Sequence, residues 1–535
     1  MKNLKEPSGY LLSALSGLTL VLIFPRFDVE ILAWFALVPL FFAIQNQSLG
    51  RASLYGFIAG MIFYFFGLIW IADTIVNFGH IPKLLGYLIL GALAAYLSFY
   101  VALFCCLVCR WSRGRPLYVF MLAPPLWTSL EYIRSTHLEY GFSWLGLGYS
   151  QYKSLAVIQI SEYTGVYGVA TLIVLVNAAL YCLLHAGLAG QSFRPPKGQT
   201  ASIAGIAALA LTLCLGYGAY ALDRHDVAAP STQEDRNLAD GAAALPGHPS
   251  LLVALVQGNI EQDRKWNPLY RSRVMRTYSN LTRKAGAAKP DLIVWPEAAT
   301  PFYFILDKSG SRFLKNLARE IQTPLLFGSP YSEQDSGKIV SYNSAYLISA
   351  EGEPLGRYDK IHLVPFGEFV PFQKLLWFVR KMATGVGDFG RGDRSVLFTL
   401  SGFRFGLSIC YEIAFPDLAR RPVKAGAQFL VNITNDAWFG RSAASYQHLG
   451  MAALRAVENR APIVRAANTG ISGTIDPSGR IRDTTELFVE DLVLTRIVPR
   501  RGKPTWYSRN GDIFSFVCMA LTAVAALLAR VSEKR

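Results

Sequence analysis

Three stretches of this chain place reactive groups at what read as strand ends. Phe403-Arg404-Phe405-Gly406-Leu407-Ser408-Ile409 reads as a strand and runs straight into Cys410, and Tyr411-Glu412-Ile413-Ala414-Phe415-Pro416-Asp417 after it reads as a helix start. A cysteine on a strand-to-helix turn is well placed as a nucleophile, because the amides of a helix N-terminus favour a thiolate and an oxyanion. The second stretch, Leu292-Ile293-Val294-Trp295-Pro296-Glu297, ends in a carboxylate; the third, Arg357–Glu368, carries Lys360, His362 and Glu368 around a Pro-Phe-Gly turn. A thiol with a pKa of about 8.5 is only a few per cent ionised at neutral pH, so a carboxylate able to take its proton helps it attack. An ammonium near the attacked carbonyl then offsets the charge that develops on oxygen. Taken singly, each group has an ordinary explanation: a small buried hydrophobe, a capping carboxylate, a snorkelling surface lysine. Neither His362 nor His448 lies in a motif that requires it as the base.

Composition narrows the setting. Of the 535 residues, 52% are hydrophobic and only 17% charged, and the mean hydropathy is +0.29, which points to a membrane component of more than one domain. The net charge of +15 is spread along the chain with no nucleic-acid motif, so it fits membrane-flanking Lys and Arg rather than nucleic acid. Of the seven cysteines, Cys105, Cys106, Cys109, Cys182, Cys214 and Cys518 lie in apolar runs. Cys410 therefore has no disulfide partner in the polar part of the chain, and no zinc spacing is present. No metal or other cofactor is expected.

The elements that must position these groups fall into four parts. Residues 1–222 read as seven apolar spans: Tyr10–Pro25, Glu30–Gln45, Leu54–Val76, Leu84–Cys109, Pro116–Ile133, Tyr163–Leu184 and Ile203–Leu222. Asp223–Ser250, rich in Ala, Pro, Gly, Asp and Gln, reads as a linker. Residues 251–507 alternate strands and helices, with strands expected at Leu251–Gln257, Asp291–Trp295, Pro324–Phe327, Ser344–Ile348, Phe403–Ile409 and Phe429–Ile433, and helices at Pro268–Ala288, Ser311–Ile321 and Ser445–Arg460. Residues 508–535 hold an eighth span, Ile513–Ala529, and a tail. Basic residues concentrate on one side (Lys2, Lys5, Arg51, Arg110, Arg113, Arg115, Arg194, Lys197, Arg530, Lys534, Arg535) against Arg26, Lys83, Arg134 and Lys153 on the other. That bias predicts cytoplasmic termini and a catalytic domain across the membrane.

In that order and in one α/β domain, Trp295-Pro296-Glu297, Asp359-Lys360-Ile361-His362-Leu363-Val364-Pro365-Phe366-Gly367-Glu368 and Cys410-Tyr411-Glu412 resemble the nitrilase superfamily. The resemblance implies a four-layer αββα sandwich beside a multi-pass α-helical membrane domain. It implies Glu297 as general base, Lys360 as oxyanion-stabilising cation, Cys410 as nucleophile and Glu368 as the further glutamate of the site. Gln257-Gly258-Asn259-Ile260, Lys265-Trp266, Tyr342-Asn343-Ser344, Asn435-Asp436-Ala437-Trp438-Phe439-Gly440, Gly141-Phe142-Ser143-Trp144-Leu145 and Gly148-Tyr149-Ser150-Gln151 extend it over nearly the whole chain. With seven spans before the domain and one after it, the chain resembles the apolipoprotein N-acyltransferase family of Gram-negative bacteria.

That resemblance implies ping-pong acyl transfer: a phospholipid acylates Cys410, and the α-amine of a diacylglyceryl-cysteine on an apolipoprotein takes the acyl group. It places the protein in the bacterial inner membrane with its catalytic domain in the periplasm and both termini in the cytoplasm. Asn343, Glu412 and Tyr411 are then supporting candidates around the triad. Trp266, Trp438, Phe439, Phe142 and Trp144 are aromatic candidates for substrate contact near the membrane interface. Leu363–Pro371 and Phe372–Phe378 read as an apolar lid with Gly385-Val386-Gly387 as its hinge. Two competing readings are a membrane-anchored amidase or hydrolase, which would turn over a small soluble amide without its spans, and a transporter or receptor with an inactive sensor domain. The second expects charges inside the spans, where few are found (Asp73 and Glu131 lie near span ends).

Overall fold

Strand β1 (Leu251–Gln257) is apolar at nearly every position, as expected of a strand covered on both faces. In the computed structural model, which describes residues 6–79, 81–112, 115–136, 141–188, 197–226, 250–265, 267–335, 337–369 and 389–533, its side chains divide with period two. Leu251, Val253 and Leu255 join one core and Ala254 and Val256 another. The chain separates into two units, 1–76 with 81–222 and 510–535, and 77–80 with 223–509.

The second unit holds two six-stranded sheets. In the first, β1 pairs on one side with β2 (Leu292–Val294), then β3 (Leu325–Asp335), β4 (Lys338–Ile348) and β5 (Pro354–Asp359). The other sheet runs from β6 (Leu397–Leu400) through β7 (Phe403–Ile409), β8 (Phe429–Thr434), β9 (Ile463–Ala467) and β10 (Gly473–Ile475) to β11 (Ile481–Arg482). The last strand, β12 (Asp491–Ile497), returns to the first sheet and pairs antiparallel with β1, Leu251 opposite Ile497. The inner core is shared by both sheets, for Leu292, Val294 and Leu326 pack with Phe405, Leu407, Ile409, Phe429, Val431 and Ile433. On the outer face of the first sheet, helix Arg271–Gly286 presents Val274, Tyr278, Leu281 and Ala285 on one stripe, and helix Lys308–Ile321 presents Leu314, Leu317 and Ala318. Helices Pro416–Lys424 and Ala444–Asn459 cover the other sheet. The result is the αββα layering.

The first unit is helical. Leu49–Gly67, Lys83–Ser112, Val166–Leu188 and Gly198–Arg224 are long and apolar enough to cross a membrane, and Pro7–Leu22, Glu30–Ile44, Ile69–Gly79 and Ile513–Ala529 are shorter apolar segments. The expected span Glu30–Gln45 is not one helix: it is a 3-10 turn, Glu30–Trp34, and a short helix, Val38–Ile44. At 1.5 Å per residue that helix is only about 10 Å long. The Pro124-Pro125 pair leaves helix Pro116–Thr136 continuous, and the Ser129 hydroxyl donates to the Pro125 carbonyl there at 2.7 Å. Of the expected linker 223–250, residues 227–249 lie outside the described residues, and helix Lys197–Asp226 runs into its start.

Candidate active site

Strand polarity decides which residues can meet. β2 and β3 are parallel, and β5 runs parallel to them because two antiparallel steps separate β3 from β5. β7 and β8 are likewise parallel. Glu297 just past β2, Lys360 just past β5, Cys410 just past β7 and Asn435 just past β8 thus all lie at C-terminal strand ends. The two sheets are joined there directly, for the Asn435 amide donates to Glu297 Oε2 at 2.8 Å.

Four side chains form a closed cluster. Lys360 Nζ, almost fully buried, donates to Glu368 Oε1 at 3.0 Å and lies 3.5 Å from Glu297 Oε1. Asn343 Nδ2 reaches both carboxylates, at 2.7 Å to Glu297 and 2.8 Å to Glu368. The backbone fixes the same groups: the Lys360 amide donates to the Asn343 carbonyl, Gly392 donates to the Lys360 carbonyl, and Val364 donates to Glu368 Oε2. Burial disfavours the Lys360 ammonium, but Glu368 and then Glu297 outweigh it, so its pKa is raised and it is a permanent cation.

Cys410 sits in the left-handed region at φ 53°, a conformation that costs a non-glycine residue about 1–3 kcal/mol and persists only where its surroundings impose it. Here they do. Its carbonyl accepts from His448 Nε2 at 3.1 Å and from Asn432 Nδ2 at 3.4 Å. The carbonyl only accepts, so Nε2 carries the hydrogen; Arg465 Nη2, a donor, faces Nδ1 at 3.0 Å. Burial and the Arg465 charge lower the His448 pKa and keep the ring neutral. Arg465 is itself held by Asp436 at 2.9 Å and by Asn432. The thiol is pushed up to about 12, first by burial and then by the Glu297 carboxylate, with Lys360 pulling the other way.

Glu412 ties the Cys410 turn to the Lys360 turn. Its carboxylate accepts from the Ile409 amide at 2.7 Å, the Ile361 amide at 2.6 Å, the His362 amide at 3.0 Å and the Tyr358 hydroxyl at 2.9 Å. The turn that carries Cys410 and the turn that carries Lys360 therefore share one buried anion.

The structure brings Glu297, Lys360, Glu368, Asn343, Glu412 and Cys410 together. Tyr411 stands one residue on, its ring edge-on to Phe415 at 4.9 Å and 5.8 Å from His362. Phe439 meets His448 edge-on at 6.2 Å, and Trp438 is 38% exposed. Trp144 belongs to the helical unit and is core there: it packs 5.3 Å from Trp70, and Arg134 donates to its carbonyl at 2.8 Å. Phe142, half-buried in that unit, donates its amide to the Arg134 carbonyl. Trp266 and residues 370–388, most of the expected lid, lie outside the described residues. Sequence reasoning missed Lys265, Asn435 and the His448–Asp436–Arg465 group as site residues. Lys265, in Lys265-Trp266, and Asn435 and Asp436, in Asn435-Asp436-Ala437-Trp438-Phe439-Gly440, lay in motifs that could have signalled them, whereas His448 and Arg465 did not. Among the described residues no cluster of metal-ligating side chains occurs.

Comparison with known proteins covers both units. Residues 16–179 match the apolipoprotein N-acyltransferase N-terminal domain, and residues 252–505 match the carbon-nitrogen hydrolase family. Apolipoprotein N-acyltransferase of Geobacter metallireducens is 41% identical over 97% of this chain and 95% of its own length. The enzyme of the same name from Pasteurella multocida is 32% identical over 99% of this chain and 98% of its own. Among solved structures, an amidase from Nesterenkonia sp. aligns at a TM-score of 0.37 and 17% identity, over 51% of this chain and 97% of that one. On its full-length relatives, the chain belongs to the apolipoprotein N-acyltransferase family.

Proposed function

We propose that this membrane protein transfers an acyl chain from a phospholipid to the N-terminal amine of a diacylglyceryl-cysteine apolipoprotein, through a thioester on Cys410. Glu297 takes the thiol proton as sulfur attacks the phospholipid ester. Lys360 holds the oxyanion, and collapse of the tetrahedral intermediate sends the proton from Glu297 to the departing lysophospholipid oxygen. The acceptor amine then attacks the thioester, Glu297 takes a proton from nitrogen, and the thiolate leaves with that proton. Removing a single oxyanion donor typically costs about 3–4 kcal/mol, which is the scale of the contribution assigned to Lys360. The enzyme works in the inner membrane of a Gram-negative bacterium, with its catalytic domain in the periplasm and both termini in the cytoplasm.

The observation that supports this reading best is the convergence of Glu297, Lys360, Asn343 and Glu368 beside the strained Cys410 turn. The test is intact mass of the purified full-length enzyme mixed with phospholipid. Wild type should gain an acyl mass that hydroxylamine removes, and Cys410→Ala should gain none. Wild-type enzyme that stays unmodified under turnover would remove the thioester mechanism.

A further inference from the structure

Lys265 is a buried titratable group that the mechanism above leaves unused. It ends the short helix Gln262–Lys265 and is fully buried. Its Nζ donates to the Glu297 carbonyl at 2.9 Å, and among the described residues it has no other hydrogen bond and no carboxylate within ion-pairing distance. An ammonium carries three donors, so two point at no described protein acceptor. The same short helix touches the site a second time, for Asn435 Nδ2 donates to Gln262 Oε1 at 2.7 Å while the Asn435 amide holds Glu297. A buried cation without a counter-ion is costly. Burial brings the Lys265 pKa down to about 8, with the Glu297 carboxylate and the titratable Cys410 sulfur, the ionisable groups facing it, pulling the other way.

A count of protons gives this amine a task. Acylation of Cys410 needs one shuttle, from thiol to leaving oxygen, and Glu297 supplies it. The second half-reaction starts from an α-ammonium, whose pKa in water is about 8. It must lose two protons to become an amide, and the departing thiolate takes up only one. We propose that Lys265, as a neutral amine, takes the first of these protons from the acceptor ammonium; this deepens the acyl-transfer reading above and rests on it. The freed nitrogen lone pair then forms the N–C bond and the C–S bond breaks. Glu297 carries the second N–H proton to the sulfur, leaving an amide, a Cys410 thiol and a charged Lys265 that releases its proton to water.

The test separates the two half-reactions in full-length enzyme held in phosphatidylethanolamine-containing micelles. Lys265→Arg keeps donors and charge but cannot lose its proton, and Lys265→Met removes both. Acyl-Cys410 is followed by intact mass. It is then discharged either by a synthetic diacylglyceryl-cysteine peptide with a free α-amine or by hydroxylamine, which is uncharged at neutral pH. In both variants acylation should fall less than about threefold and transfer to the lipopeptide at neutral pH more than about tenfold, or about 1.4 kcal/mol of barrier. That deficit should shrink toward about pH 9, where the acceptor amine is already neutral, and discharge by hydroxylamine should match wild type. Wild-type pH profiles in both variants would overturn the proposal. So would an equal loss of acylation and of discharge by both amines, which would assign Lys265 to holding the Glu297 turn. Absence of acyl-Cys410 on the wild type would instead sink the acyl-transfer reading, and this proposal with it.

Discussion

At the scale of single residues, the resting Cys410 is a thiol and not a preformed thiolate, because burial and the Glu297 charge push it up to about 12. In the proposed mechanism nucleophile and base are thus coupled: the carboxylate assigned to remove the proton also makes the proton harder to lose. Glu297→Gln should show both sides of this. Acylation should fall by roughly 10²–10⁴-fold as the general base is lost, yet the thiol should alkylate with iodoacetamide at lower pH than in wild type. An unchanged or higher alkylation midpoint would mean that Glu297 is not the charge acting on the sulfur. His362 supplies a second test. Burial, with Arg391 and Lys360 nearby, lowers its pKa from 6.5 to about 4, so between those values the unfolded chain binds more protons than the folded one. Its contribution to stability is full above pH 6.5 and is lost as pH falls toward 4. His362→Phe should flatten the thermal midpoint of the catalytic unit across that window, and an unaltered slope would exclude His362 as the cause. Glu297 and Cys410 could be singled out in the sequence because each directly follows an apolar run, and Lys360 because it closes an expected strand end ahead of the Ile361–Phe366 segment. Lys265 and His448 were not, since their meaning comes from partners distant in sequence, Glu297 for one and the Cys410 carbonyl for the other. Trp144 was read as an interfacial ring, whereas its burial against Trp70 is a packing fact that no local pattern encodes.

At the scale of elements, the site depends on two turns held in register by Glu412. Replacing it with glutamine puts an NH2 where an oxygen accepted. The less disruptive orientation strands the buried Ile409 amide, and the other strands the Ile361 and His362 amides. Glu412→Gln should therefore cost about 1–3 kcal/mol of stability. It should also slow acylation in fully folded protein, because the Cys410 and Lys360 turns lose their shared anchor. Midpoints from denaturation set against acylation rates at low temperature would decide: normal acylation in folded variant would make Glu412 a stability residue alone. The strands most legible in the sequence were those buried on both faces, β1 and β7, whose apolar runs end where the strands end. β3 and β4 are longer than expected because their hairpin ends, Tyr331–Gln334 and Lys338–Tyr342, are half-exposed or exposed and lack a continuous apolar run. β10 and β11 are too short to show a period.

At the scale of the whole molecule, the helical unit buries an acid and a base, Glu131 and Arg134, one turn apart. Glu131 accepts from Trp127 Nε1 and from the Leu147 amide, both at 3.0 Å, and Arg134 fixes the Trp144 carbonyl. The charges staple the Gly141–Leu147 segment, so their burial has a local structural explanation and needs no transport pathway. Membrane orientation remains a matter of side. Alkaline phosphatase, active only beyond the cytoplasm, should be active when fused after Ser250 and inactive when fused after Arg535. The reverse pattern would invert the topology.

The pairing of β1 with β12 has a consequence for biosynthesis. The first strand of the catalytic unit leaves the ribosome early, but its edge partner, Asp491–Ile497, comes only after almost the entire unit has been made. At ~5–20 residues per second this delay is on the order of ten seconds or more. During it, Leu251–Gln257 presents an open apolar edge to whatever is near. A chaperone that shields nascent strands should matter more to this protein than its final stability suggests, and truncation before Asp491 should yield aggregation-prone chains rather than a smaller folded enzyme.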